Sequence, residues 1–264
     1  MMKIALGQVV VGRNWEDNAR EYVALMVKAR ESGAKLLVLP EGVIGRDPQD
    51  VQYTKKSAQA LDGPFMQRML EASKEIPVTL MMTVHVPTAN ERVGNIFVVV
   101  QNGRIVAQYK KLHLYDAFVT KESDNVEPGH ELPPIVEIDG LKMGLLTCYD
   151  VRFPDLAGRL ALDGAHVLVV PAAWVKGPMK EAHWEVMVTA RALENTCYVL
   201  ACGECGPNNI GQSMVVDPLG VATARAAEGP GLIFADVDMK RIEHARKVLP
   251  VLQNRRFATP ALPQ

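Results

Sequence analysis

The chain has 264 residues, of which 48% are hydrophobic and 22% charged, with a formal net charge of −1. That balance suits one sizeable domain over residues 1–264 with a well-buried core, and it lacks the basic footprint that nucleic acid or an anionic membrane surface requires. No apolar run approaches the roughly 18 residues of a membrane-spanning helix, and Arg13, Glu16 and Asp17 interrupt the apolar start too soon for a secretory leader, so a cytoplasmic protein is expected.

Taken in chain order, KIALGQVV (3–10) suits an early strand. Asn14 stands where an N-cap is wanted, with acidic residues following in the first turn. Trp15, Ala19, Tyr22, Val23, Met26 and Val27 then recur at helical spacing, and Gly33 closes the run. KLLVLP (35–40) predicts a short buried strand, so the chain begins as an α/β unit. A helix is predicted near 64–75 and a strand over 78–86. Strands 95–101 and 104–110 flank Asn102-Gly103, a strong signal for a two-residue hairpin. Residues 117–134 are predicted as loop. Strands at 141–147 and 166–170 enclose a proline-opened helix over 154–164. A helix over 180–194, strands near 197–202, 212–217 and 231–236, and a helix near 238–248 follow. Crossovers mixed with hairpins favour a helix-covered pair of sheets over one doubly wound sheet.

Ligands of α/β folds gather at the carboxyl ends of strands. Three such ends carry reactive side chains: Glu41 after KLLVLP, Lys111 after RIVAQYK, and Cys148 after KMGLLT. A free thiol is only a few per cent ionised at neutral pH, so a carboxylate that accepts its proton makes it a nucleophile. A fixed ammonium can stabilise both the thiolate and the oxyanion formed by attack on an amide, where losing one donor costs about 10²–10³ in rate. Glutamate, lysine and cysteine therefore make a complete amidase without metal or organic cofactor. Each residue also has a plain structural reading: a solvated surface charge for Glu41 or Lys111, a small buried hydrophobe for Cys148.

LVLPEG, YKKLHLYD and LTCYDVRFPDL together resemble the nitrilase, or carbon–nitrogen hydrolase, superfamily, and the resemblance runs from KIALGQ to the NRRF near the C-terminus. It implies an α-β-β-α sandwich of two mixed sheets flanked by helices, with Glu41, Lys111 and Cys148 as the catalytic triad. It also implies a second glutamate ahead of a Pro-Gly that positions the lysine; Glu122 fits, whereas Glu127 stands too close to Pro128-Gly129. Further implications are an oxyanion contact from the backbone N–H of Tyr149 and a homodimer or larger assembly formed through a helical face.

Within the superfamily, KLHLYDAF, PAAWVKGP and NIGQS are most similar to the branch that cleaves deaminated glutathione, 2-oxoglutaramoyl-cysteinylglycine, to 2-oxoglutarate and cysteinylglycine. The neighbouring alternative is an ω-amidase acting on 2-oxoglutaramate; other amidases and N-carbamoyl hydrolases share the triad. A substrate carboxylate needs a receptor, and Arg152 either supplies it or braces its own loop through Asp150 or Asp155. Tyr115, Trp174 and His183 are candidates for the pocket wall, against packing roles for Trp174 and Trp184 and a structural role for His183. Of the four cysteines, Cys197, Cys202 and Cys205 crowd together, and Cys202-Gly-Glu-Cys205 is a CxxC. A metal or redox module is the reading from another class, but no second cysteine pair or spaced histidine pair accompanies it. A non-catalytic binding protein is the other, and retention of all three triad residues speaks against it.

Overall fold

Residues 36–39, a strand over Leu36–Val38 and the residue after it, show how the layers arise. Leu36 and Val38 join one buried cluster, and Leu37 and Leu39 join another. Successive strand side chains point to opposite faces, so a strand that is apolar at every position must be covered on both sides. Val167 and Val169 against Leu168 and Val170 repeat the pattern in the second half of the chain.

The computed structural model describes residues 1–50, 52–118 and 120–263. The first half contains β1 (Met2–Gln8), α1 (Trp15–Glu31), β2 (Leu36–Val38), α2 (Tyr53–Ser57), α3 (Pro64–Glu75), β3 (Thr79–Pro87), β4 (Val93–Gln101) and β5 (Arg104–Lys110). A small hairpin of β6 (Asp116–Ala117) and β7 (Thr120–Lys121), a 3₁₀ turn over Glu122–Asp124 and β8 (Val126–Glu127) follow. The second half contains β9 (Ile135–Ile138), β10 (Leu141–Leu145), a 3₁₀ turn over Cys148–Arg152, α4 (Pro154–Leu162), β11 (Val167–Ala172), α5 (Lys180–Asn195), β12 (Tyr198–Gly203), β13 (Met214–Val216), β14 (Ala222–Arg225), β15 (Gly231–Val237) and α6 (Met239–Val248).

One sheet runs β15-β1-β2-β3-β4-β5 with β8 beside β4; the other runs β14-β13-β12-β11-β10-β9. The centre of each is parallel: β1, β2 and β3 in the first, β10, β11 and β12 in the second. β15 returns from the far end of the chain and pairs antiparallel with all of β1, from Met2 opposite Val237 to Gln8 opposite Gly231. Between the sheets lies a layer that includes Ile4, Leu6, Phe97, Met143, Leu200 and Val215. α1 and α3 cover the outer face of the first sheet through Tyr22, Met26, Phe65 and Met69. α4 and α5 cover the outer face of the second through Leu160, Trp184 and Val188. Each such large apolar side chain taken from water stabilises the fold by about 1.5–3 kcal/mol. The expected α-β-β-α sandwich is what forms.

Local signals hold where they are physical. The Asn14 side chain accepts from the N–H of Asp17 at 2.9 Å, capping α1. Asn102 and Gly103 both take positive φ, +48° and +76°, as their hairpin turn demands. The buried face of α1 is rotated from the predicted one: Leu25 and Ala29 are buried, while Trp15, Val23 and Val27 lie at its margin. The segment predicted as loop over 117–134 carries β7, the 3₁₀ turn and β8, which pairs Val93 with Val126 and Gly94 with Glu127. Two-residue strands are too short to show a period, and for a similar reason α2, β9 and β14 went unpredicted.

Candidate active site

Four strand ends meet between the two sheets. Glu41 follows β2, Lys111 follows β5 directly, Cys148 comes three residues after β10, and Ala173 follows β11 directly. Lys111 Nζ lies 2.9 Å from Glu41 Oε1 and 2.9 Å from Glu122 Oε2. Asn95 donates to the same Glu41 oxygen at 2.8 Å, and the N–H of Ala173 donates to the other at 2.9 Å. Cys148 lines the same cavity as Glu41 and Lys111, close enough for their charges to act on its thiol. The structure therefore brings Glu41, Lys111, Glu122 and Cys148 into one cluster.

Charge in this cluster is fixed by burial and neighbours. Burial alone would raise Glu41, but the Lys111 charge, with hydrogen bonds from Lys111 and Ala173, outweighs it and holds the carboxyl down at about 2. Burial opposes a charge on Lys111, yet Glu122 and Glu41 keep it protonated far into the alkaline range. Cys148 is pushed upward by burial and by the Glu41 charge. The resting site is thus a neutral thiol, an ionised carboxylate that can accept its proton, and an ammonium between two carboxylates.

The turn that presents Cys148 is strained. Its φ of +46° is left-handed, a conformation that costs a β-carbon-bearing residue about 1–3 kcal/mol and persists only where surroundings impose it. Asp150 imposes it. Its fully buried carboxylate accepts from Thr147 N at 2.9 Å, Tyr109 Oη at 2.9 Å and His113 N at 3.1 Å, and meets His113 Nδ1 at 2.7 Å. The His113 ring stacks on Phe153 at 3.7 Å. The histidine of KLHL and the aspartate and phenylalanine of CYDVRFP therefore clamp the β5 and β10 ends together. Glu122 is seated by Tyr115 N, which donates to it at 2.6 Å, while Gly129 N donates to Lys111 O at 2.7 Å. A β-carbon on Gly129 would sit 2.1 Å from Lys110 O, so only glycine lets the Pro-Gly turn press against the strand carrying Lys111.

A cavity of about 560 Å³ opens in front of Cys148, lined by Glu41, Lys111, Glu122, Tyr115 and Glu204 among others. Tyr149 and Trp174 line a smaller recess beside the same cysteine. Tyr149 is the second residue of its 3₁₀ turn, where a backbone N–H has no partner within the turn. Trp174 both lines and packs, its ring 5.2 Å from that of Trp184. Arg152 differs from both readings offered for it. Its guanidinium lies over the Trp174 ring at 4.7 Å, its Nε and Nη2 are buried without partners, and it lines neither cavity. No bond from it to Asp150 or Asp155 occurs among the described residues, because Asp150 is already engaged by four donors. His183 also stays out of the cavity wall; it sits in the first turn of α5 with Nδ1 buried and unpartnered.

The CxxC divides. Cys202 Sγ lies between the sheets, 3.2 Å from Val38 O, whereas Cys205 reaches the cavity wall. Among the described residues no group of three or more His, Cys, Asp or Glu side chains is placed to hold a metal. Sequence reasoning missed Asn95 and Glu204. Asn95 lies inside β4, where nothing marks a polar residue as aimed at a site. Glu204 was legible by the rule that found the triad, since it directly follows β12. It forms an ion pair with Arg46 at 2.7 Å, and Arg46 Nη2 donates to Glu41 O at 3.0 Å. Burial nevertheless pushes Glu204 up to about 7, against the pull of Arg46.

The profile of the family described as carbon–nitrogen hydrolase matches residues 3–247. The chain is 51% identical to the deaminated glutathione amidase of Escherichia coli O157:H7, over 99% of this chain and 100% of that one. Among solved structures, the Caenorhabditis elegans NitFhit protein superposes with a TM-score of 0.90 at 29% identity, covering 97% of this chain and 65% of that longer one. Saccharomyces cerevisiae Nit3, a member of the nitrilase superfamily, superposes with a TM-score of 0.86 at 26% identity, over 97% of each chain.

Proposed function

The chain belongs to the carbon–nitrogen hydrolase family, and on that footing we propose that it hydrolyses deaminated glutathione, releasing 2-oxoglutarate and cysteinylglycine. The observation that carries this reading is the convergence of Cys148, Glu41 and Lys111 on the wall of one cavity. Identity of 51% with an amidase named for that substrate directs the choice of amide. The cavity of about 560 Å³ leaves room for a dipeptide amine, which an enzyme releasing only ammonia does not need.

In this reading Cys148 Sγ attacks the amide carbon while its proton passes to Glu41. Lys111 and the Tyr149 N–H receive the oxyanion, and Glu122 holds Lys111 in place. The C–N bond breaks as Glu41 returns the proton to the departing nitrogen, leaving a thioester on Cys148. Water then attacks the thioester, giving a proton to Glu41, and collapse expels the sulfur, which regains that proton. Turnover of the conjugate and of 2-oxoglutaramate, compared on one preparation by 2-oxoglutarate formed, tests the assignment. A large preference for the conjugate is expected. A preference for 2-oxoglutaramate makes the protein an ω-amidase, and no product from either removes both substrates.

The reading extends to a cytoplasmic homo-oligomer. Four free thiols suit a reducing compartment, and exposed Val186 and Leu193 on α5 offer a helical apolar face to a second copy. Sedimentation at micromolar concentration is expected to find a dimer or larger, and a monomer there removes the assembly.

A further inference from the structure

Cations near Cys148 can be sorted by what already neutralises them. Lys111 is held between Glu41 and Glu122, and Arg46 is paired with Glu204. Lys121 is exposed and paired with Asp124. Arg152 lacks a carboxylate partner among the described residues, but it packs on Trp174 and lines neither cavity. Lys180, the first residue of α5, differs from all of these. It is 4% exposed, yet no carboxylate pairs with it among the described residues. Its Nζ donates to Tyr115 Oη at 2.6 Å, which uses one of three donors. It otherwise faces aromatic rings: Phe118 at 4.1 Å, Tyr115 at 5.0 Å and Trp174 at 5.8 Å.

A buried charge without a counter-ion is costly, and rings compensate it only in part. The position of Lys180 gives that cost a use. With Tyr115, Tyr149 and Trp174 it lines a recess of about 20 Å³ that shares Cys148 with the large cavity. A space of about 10–15 Å³ holds one water, so the recess suits a small polar terminus and excludes a dipeptide. The large cavity is left for the other side of the scissile bond.

We infer that Lys180 is the specificity-determining cation of the site, receiving the 2-oxo acid carboxylate of the acyl half of the substrate in the recess beside Cys148. The inference rests on the proposed function for the identity of the acyl group. It assigns to a lysine on α5 the part that the sequence offered to Arg152, which lines neither cavity. Tyr115, bonded to both Lys180 and Glu122, joins this receptor to the lysine clamp.

The test compares the full-length enzyme with Lys180→Met and Lys180→Arg, using calorimetric binding of 2-oxoglutarate and steady-state turnover of the conjugate. A charge-assisted hydrogen bond in a buried site sets the expected size: Lys180→Met weakens 2-oxoglutarate binding and raises KM by about 30-fold or more, with the smaller part of the loss in kcat. Lys180→Arg recovers most of the binding, which a merely structural lysine would not show. Unchanged 2-oxoglutarate affinity in Lys180→Met, a loss confined to kcat, or no 2-oxoglutarate binding by the wild-type enzyme would overturn the assignment. Lys180-dependent binding of 2-oxoglutarate without turnover of the conjugate would overturn the proposed substrate and leave the receptor standing.

Discussion

β10 and β12 flank β11 in parallel, and each brings a cysteine to the same end of one sheet. Cys202 remains inside β12, its sulfur turned into the layer between the sheets. Cys148 lies past the end of β10, in a left-handed turn, on the wall of the cavity. Burial raises the pKa of both thiols, so neither is a resting thiolate. What separates them is a proton acceptor: Cys148 has Glu41, and Cys202 has backbone carbonyls. Cys148→Ala is therefore expected to lower turnover by at least about 10⁴-fold and Cys202→Ala by less than about threefold. Iodoacetamide should label Cys148 in proportion to lost activity. Labelling at the other cysteines while activity persists would erase the contrast.

Lys111 sharpens the comparison from the charge side. Lys111→Met removes the cation between the buried Glu41 carboxylate and the half-buried Glu122 carboxylate, so it should cost at least about 10³ in kcat/KM and also about 3–5 kcal/mol of stability at neutral pH. An isolated oxyanion clamp would be lost without harm to the fold; the ion pairs to Glu41 and Glu122 make that outcome unexpected. Without the lysine the burial that raises Glu41 is no longer opposed by that charge, so Glu41 binds a proton more readily when folded and the variant should regain stability as pH falls. Denaturant midpoints equal to wild type at pH 7 would mean the triad is not electrostatically coupled. Asp150→Asn is a smaller perturbation. It turns two donor hydrogens toward groups that are themselves donors, loosening the Cys148 turn, and displacements of that kind cost about 10²-fold. The iodoacetamide rate at Cys148 should fall with turnover; a fall in turnover alone would detach Asp150 from the sulfur's placement.

The clustering of Glu41, Lys111 and Cys148 was legible because reactive groups just after apolar strands are aimed by the strand, and local sequence carries that placement. The layer order was legible for a related reason, since strands apolar on both faces require cover on both sides. Long-range pairing was not legible. β15 beside β1, β8 beside β4, and Asn95 on Glu41 depend on chain crossings that no local period records. Arg152 and Lys180 show the same limit at the site. Proximity in sequence favoured Arg152, the last residue of the turn that begins at Cys148, whereas the fold seats it against Trp174 and brings Lys180 to the recess from a helix after the next strand. Glu204 is a different case: the strand-end rule applied to it, and the surrounding cysteines drew attention to a metal reading instead.

Glu204 supplies the most subtle distinction between the two strand ends, because β12 delivers a carboxylate to the cavity where β10 delivers a thiol. Burial raises its pKa to about 7 despite Arg46, whereas an unfolded glutamate titrates near 4.3. Between those values the folded chain binds the proton that the unfolded chain has released. The contribution is therefore fully present below the unfolded pKa and is lost as pH rises through about 7. Glu204→Gln cannot lose a proton, so its stability relative to wild type should improve by on the order of 2 kcal/mol between pH 5 and pH 8. Chemical denaturation of both proteins across that range reads the difference directly. Parallel curves would show that Arg46 keeps Glu204 ionised throughout, leaving the β12 end with a permanent ion pair in place of a titrating group.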